Sequence, residues 1–156
     1  MIQISSEFKM CRSAMYLIDT NVISELRKKS KANPSVLRFF RQAVDQEAYL
    51  YLSVITIGEL RRGVELIRHR GDQRQAEMLE AWLQTVVEDY ADRILDFTEL
   101  EAQVWGRLCA PNLHNVLDKQ IAATALTCSL TLVTRNLSDF ADAGVPLLNP
   151  FESIEN

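Results

Sequence analysis

Short apolar runs alternate with longer stretches of helical periodicity along nearly the whole chain, and this alternation narrows the fold more than any other feature. "MYLI" (Met15 to Ile18) reads as a buried strand, and the following "NVISELRKK" places Val22, Ile23 and Leu26 at helical spacing. "NPSVLRFFRQAV" carries a proline near a helix start, "AYLYLSV" reads as a second strand, and "TIGELRRGVELIRHR" reads as a helix stopped by Gly71. Met78, Leu79, Trp82, Leu83, Val86 and Val87 recur at helical period, with "RILDF" as a third strand behind them. "TELEAQVWGRLCA" reads as a helix broken by Pro111 and Asn112, "DKQIAATALTCS" as a small-residue helix opened by Asp118, "LTLVT" as a fourth strand and "VPLL" as a candidate fifth. This order predicts an α/β fold: a three-layer α/β/α sandwich around a central, mainly parallel sheet of four or five strands. Residues 1–14 have no place in the scheme and read as an N-terminal extension: an arm, an extra edge element or a mis-set start. Residues 15–156 form the domain.

Composition bounds the function classes. A chain of 156 residues with 47% hydrophobic content matches one domain with a real core. No apolar run approaches the ~20 residues that cross a bilayer, and "MIQISSEFKMCRSAM" is too polar and broken for a secretory signal; a cytoplasmic protein is expected. Cys11, Cys109 and Cys128 are odd in number and widely spaced, which suggests neither a disulfide framework nor a zinc site. The net charge of −4 argues against an extended polyanion-binding surface, yet basic residues cluster in "LRKKSK" and "LRRGVELIRHRGDQR". Each run alone is a solvated helix face. Together on one side of a cleft they would contact a phosphate backbone, and Arg27, Lys28, Arg61 and Arg62 are the candidates.

Ligands of open parallel sheets bind at the carboxyl ends of the strands, and acids gather in such places here. Asp19 follows "YLI", Glu59 lies in the first turn of the helix after "LYLSV", Asp118 opens its helix, and Asp139 sits in "TRNLSDF" beyond the fourth strand. Each has a local explanation: an N-cap for Asp19 and for Asp118, a Thr56–Glu59 capping box, and an Asx-turn at Asp139. Four independent caps need not converge, however. Two carboxylates at ~4 Å repel by about 4 kcal/mol at an effective dielectric near 20, so a converging set calls for a cation. Mg²⁺ or Mn²⁺ fits, because these ions take a few carboxylates while keeping waters and reaching phosphate oxygens. Other chemistries find less support. His69 lies among arginines and His114 in a loop, and there is no phosphate-binding glycine motif or nucleophile elbow. An aspartyl-nucleophile phosphatase would have a second acid two residues after Asp19, where this chain has Asn21.

Taken in order, "YLIDTNVISEL", "ITIGELRRGV", "DKQIAATAL", "LVTRNLSDF" and "GVPLLNPF" resemble a PIN-domain ribonuclease of the VapC-type toxin branch of bacterial toxin–antitoxin pairs, from Met15 to about Phe151. The resemblance implies a PIN-like fold, a divalent-metal site holding one or two Mg²⁺ or Mn²⁺ ions, and cleavage of RNA, often tRNA or rRNA. It also implies homodimerisation and a cognate antitoxin whose tail blocks the cleft. On it, Asp19, Glu59 and Asp118 match the three family acids and Asp139 the fourth. Asn21 and Asn136 look like polar support for the metal waters, and Thr134 like a residue that orients an acid. A PIN-like scaffold that binds RNA or protein without cutting stands as the alternative from a different class. Cleavage of DNA flaps or of phosphomonoesters ranks below both.

Overall fold

The strand that carries Asp19 lies in the middle of a five-stranded, wholly parallel sheet. The computed structural model describes residues 13–152, so the expected extension lies almost entirely outside the described residues. The strands are β1 (Met15–Ile18), β2 (Tyr49–Ser53), β3 (Ile94–Leu95), β4 (Thr131–Val133) and β5 (Leu147–Leu148). Their spatial order is β3-β2-β1-β4-β5. The chain starts at the centre, builds outward through β2 and β3, then returns to the other side of β1. That reversal leaves a crevice at the carboxyl ends of β1 and β4, the place where open α/β sheets bind ligands. Register sets the two strands side by side, with Leu17 opposite Leu132 and Ile18 opposite Val133.

The helices are α1 (Thr20–Glu25), α2 (Pro34–Asp45), α3 (Val54–His69), α4 (Gln73–Asp89), α5 (Glu99–Cys109), α6 (Val116–Thr127) and the four-residue α7 (Leu137–Phe140). Because successive strand side chains point to opposite faces, β1 feeds two cores. Ile18 packs with Val22, Val36, Leu60, Leu79 and Leu83 on the α1–α4 side. Leu17 packs with Ile121, Ala122, Ala125, Leu132 and Phe140 on the other. Burying each such Leu or Ile stabilises the fold by about 1.5–3 kcal/mol relative to exposure, so the two layers grip the central strand from both faces. The alanines of α6 are fully buried; they let that helix sit close to the sheet.

Local chemistry adjusts several predicted boundaries. The first helix is α-helical only to Glu25, and a 3₁₀ helix (Leu26–Lys31) takes over, interrupted by Lys29 at φ 53°. Gly71, at φ 92°, follows the end of α3 in the left-handed conformation that glycine adopts without a Cβ penalty. α6 starts at Val116, so Asp118 lies inside the first turn and does not open the helix; the N-cap is Asn115, in left-handed backbone geometry. The Thr56–Glu59 capping box is also overturned. α3 begins immediately after β2 with Ser53 as its N-cap, Ser53 Oγ accepting from Ile55 N (3.0 Å), which puts Thr56 and Glu59 within the helix. Among the described residues a capping box forms at α5, between Thr98 and Glu101. Among the described residues no helix is long and apolar enough to cross a membrane. Cys109 and Cys128 are free thiols; Cys11 lies outside the described residues.

Candidate active site

Asp19 leaves β1 at its carboxyl end, and its backbone N–H still pairs with Val133 of β4 (2.9 Å) while its carbonyl accepts the first bonds of α1. The residue is an N-cap by position, as its sequence context suggests, but capping uses only part of it. Oδ1 accepts from the neighbouring Thr20 N (2.8 Å). Oδ2 accepts from Thr134 Oγ1 (2.7 Å) and Asn21 Nδ2 (3.1 Å). Thr134 is fully buried at the end of β4, and its hydroxyl also accepts from Asn136 N (3.1 Å). Asn21 closes the loop from the other side, its Oδ1 accepting from Arg135 N (3.1 Å). One carboxylate thus ties the β1–α1 turn to the β4–α7 turn. The amide of Asn21 serves the acid, whereas Asn136 contributes a backbone N–H.

Glu59 reaches the same edge from α3. Thr20 Oγ1 donates to Glu59 Oε1 (2.7 Å) and is hydrogen-bonded to the buried Thr56 Oγ1 (3.2 Å). Thr20 and Thr56 orient Glu59 and were not foreseen as site residues. The available hint was the polar run after "YLI", in which every residue of "DTN" points toward the site, not Asp19 and Asn21 alone. Asp118 comes from α6 and Asp139 from α7, where Asn115 Nδ2 approaches Asp139 Oδ1 at 3.5 Å. No Asx-turn is formed by Asp139 among the described hydrogen bonds; its own N–H pairs with Asn136 O (3.2 Å).

The electrostatics join these four residues. Burial, then the charges of Asp19, Asp139 and Glu59, push the Asp118 carboxyl up from 3.8 to about 6. Asp19 is raised first by burial, against the three hydrogen bonds that favour its ionised form, and further by Asp139. Glu59 is raised by burial and by Asp19, with Thr20 and Arg62 pulling the other way. Acids from four elements, separated by up to 120 positions in sequence, therefore feel one another at the crevice. They do so as a field, not as a closed cage: among the described residues no three His, Cys, Asp or Glu side chains are gathered tightly enough to hold a metal ion by themselves. An all-protein cage of the calcium type is thus not what these donors resemble. Hard oxygen donors, mutual repulsion and open sides suit an ion that keeps several waters and takes one or two carboxylates directly. Asp19, Glu59, Asp118 and Asp139 are the residues that would hold it.

The predicted basic candidates divide. Lys28 is paired with Glu25 (2.7 Å). Arg61 bridges Glu80 of α4 at 2.6 Å and Glu65 at 3.5 Å. Arg62 is exposed and acts on Glu59 through its charge. Arg27 lines a cavity of about 150 Å³ between α1, α3 and α4, whose wall includes Thr20, Glu59, Leu60, Leu79 and Trp82. Lys119 turns away from the acids, donating to Asn112 O and Oδ1 (both 2.7 Å).

The sequence matches the PIN domain over residues 16–145. The chain belongs to the PIN-domain family. Toxin FitB of Neisseria gonorrhoeae is 34% identical over 142 residues, 88% of this chain and 99% of that protein. VapC ribonuclease Y4jK of Sinorhizobium fredii is 32% identical over 145 residues, again covering 88% of this chain and 99% of the relative. The crystal structure of FitAcB from Neisseria gonorrhoeae superposes with a TM-score of 0.76 at 33% identity, spanning 89% of this chain and 100% of the matched one. The predicted three-layer fold and family resemblance are both borne out, and in this PIN domain the crevice at β1 and β4 carries the acids.

Proposed function

We propose that this PIN domain is a Mg²⁺- or Mn²⁺-dependent endoribonuclease and the toxin of a cytoplasmic toxin–antitoxin pair. One observation carries the reading: Asp19, Glu59, Asp118 and Asp139 come from separate elements to the sheet's ligand-binding edge, where burial and neighbouring negative charge raise the carboxyls of Asp19, Glu59 and Asp118. Such a burden is relieved by a dication and, with it, by a phosphodiester. The names of FitB as a toxin and of Y4jK as a VapC ribonuclease support the same class.

When bound, the ion supplies Lewis-acid stabilisation of the phosphoryl oxygens and a nucleophilic water. The chain's own residues do the positioning. Thr134 and Asn21 hold Oδ2 of Asp19 so that the carboxylate keeps one orientation, and Thr20 does the same for Glu59. In-line displacement would leave a 5′-phosphate and a 3′-hydroxyl. tRNA and rRNA are the substrate classes to test first. The partners of this reading are a second copy of the chain and an antitoxin. The cavity between α1, α3 and α4 supports the latter, because Leu60, Val64 and Ile67 of α3 and Trp82 and Leu83 of α4 give it an apolar wall beside Glu59, a surface of the kind that meets the apolar side of a partner segment.

The experiment compares the wild type with Asp19→Asn on total tRNA and rRNA in Mn²⁺, mapping new RNA ends. Metal-dependent cleavage by the wild type, lost in a variant with an unchanged circular dichroism spectrum, is the expected result. RNA binding without cleavage across the panel would instead establish a binding module and sink the nuclease reading.

A further inference from the structure

The cations bordering the acids differ in what holds them. Lys28 is neutralised by Glu25, and Arg61 and Arg68 both end on Glu80 at 2.6 Å. Arg135 is held without a carboxylate. It follows Thr134 directly, its N–H donates to Asn21 Oδ1 (3.1 Å), and Asn21 in turn bonds Asp19. Its guanidinium lies over the ring of Phe151, 4.6 Å from the centroid. Among the described residues no Asp or Glu oxygen lies within ion-pair distance of it. Glu25, whose carboxyl it helps to lower, is already bound by Lys28 and by Asn33 N (2.8 Å).

The platform beneath Arg135 is itself anchored. Phe151 is half-buried against the α1–α4 core, its N–H donates to Asn149 Oδ1 (3.0 Å), and Asn149 Nδ2 donates to Glu152 (3.2 Å). The ring contact restrains the guanidinium, and because Arg135 is exposed its N–H groups remain accessible to a ligand. A planar fork with no ion pair of its own among the described residues, on a residue whose backbone N–H is two hydrogen bonds from an acid of the site, suits a phosphate.

We propose that Arg135 is a substrate-contacting residue: with its backbone held by Asn21 and its side chain restrained by Phe151, its guanidinium binds a backbone phosphate of the RNA strand next to the one that is cut. This rests on the ribonuclease reading. The contact holds substrate and transition state alike, so it acts on KM and not on kcat. Positions on the backbone carry register and little base information, which leaves sequence choice to other parts of the surface.

The test measures steady-state cleavage of a labelled single-stranded RNA in Mn²⁺ over a range of salt. Arg135→Ala is expected to raise KM about tenfold with kcat within about twofold, and to flatten the slope of log(kcat/KM) against log[salt] by about 0.7, the share of one phosphate on a single strand. Arg135→Lys restores the slope but not the full affinity, because a point charge lacks the fork. Phe151→Leu keeps the slope and raises KM a fewfold, about threefold for an unstacked but still charged guanidinium. The Mn²⁺ concentration for half-maximal rate stays put in all three. An unchanged KM and slope in Arg135→Ala overturns the proposal; so does a fall in kcat with a raised Mn²⁺ requirement, which would mean that the side chain acts on the acid site and not on the strand. If Arg135→Ala fails to fold, the lysine and Phe151 variants decide alone. A wild type that cleaves no RNA removes the ribonuclease reading itself, and that outcome is distinct because no variant then has a KM to compare.

Discussion

Replacing Asp118 by Asn should make the metal-free protein more stable above pH 6. In the folded chain this carboxyl is lifted from 3.8 to about 6, by burial first and then by Asp19, Asp139 and Glu59. A carboxyl that holds its proton more tightly in the folded state aids folding fully below 3.8, and that aid is lost as pH rises through about 6. Above that value the chain folds against an ionised Asp118. For an enclosed group the difference would come to about 3 kcal/mol, at about 1.4 kcal/mol per tenfold. Asp118 is half-exposed, so water and salt screen it and about 1–2 kcal/mol is the realistic figure. Asn is nearly isosteric and neutral at every pH. Thermal unfolding in EDTA near pH 8 should therefore show Asp118→Asn about 3–6 °C above the wild type, and the gap should narrow as pH falls below about 6 and close only below 3.8. Adding Mn²⁺ at about a hundred times its Kd should reverse the order, stabilising only the wild type by about 2.7 kcal/mol. An Asn variant no more stable than the wild type near pH 8, or one whose advantage there persists undiminished below 3.8, would refute the picture of acids held together against their repulsion.

Thr134→Val removes the donor that serves the buried Oδ2 of Asp19; urea unfolding near pH 7 should show a loss of about 1–3 kcal/mol, and the pH at which cleavage sets in should move upward as Asp19 loses a bond that favours its ionised form. Phe140→Ala, at a side chain that is 1% exposed between α6 and β5, should cost about 3–5 kcal/mol by the same measurement. Lys119→Met cuts two bonds to Asn112, so hydrogen exchange in residues 110–116 should speed up while the melting temperature moves little.

The sheet and most helices were legible because strand and helix periods differ so clearly in runs such as "YLYLS" and "AEMLEAWLQTVV". Short-range chemistry was less so. "PNLHNVL" reads as a loop because Pro, Asn and His are all helix-averse, yet Asn115 can adopt φ 54° and start α6 early enough to absorb Val116 and Leu117. α7 has four residues, too few for any period to declare itself. The Thr56–Glu59 spacing matches a capping box as well as Thr98–Glu101 does, and only the abrupt β2–α3 junction at Ser53 tells them apart. Within the site, the positions of Asp19, Glu59, Asp118 and Asp139 relative to strands suggested a common edge. The polar run "DTN" marks Thr20 for the site, but that its partner there is Glu59, 39 residues away, depends on how α1 and α3 pack.

The bond from Thr134 to Asp19 spans 115 residues, and β1 waits for β4 before its second edge is covered. A nascent chain on the ribosome therefore exposes Asp19 early, with only its neighbours Thr20 and Asn21 to hold it until Thr134 has been made. Assembly of the crevice lags the synthesis of its central acid by 115 residues, a delay that, on the proposed ribonuclease reading, would spare the machinery making the chain from its product.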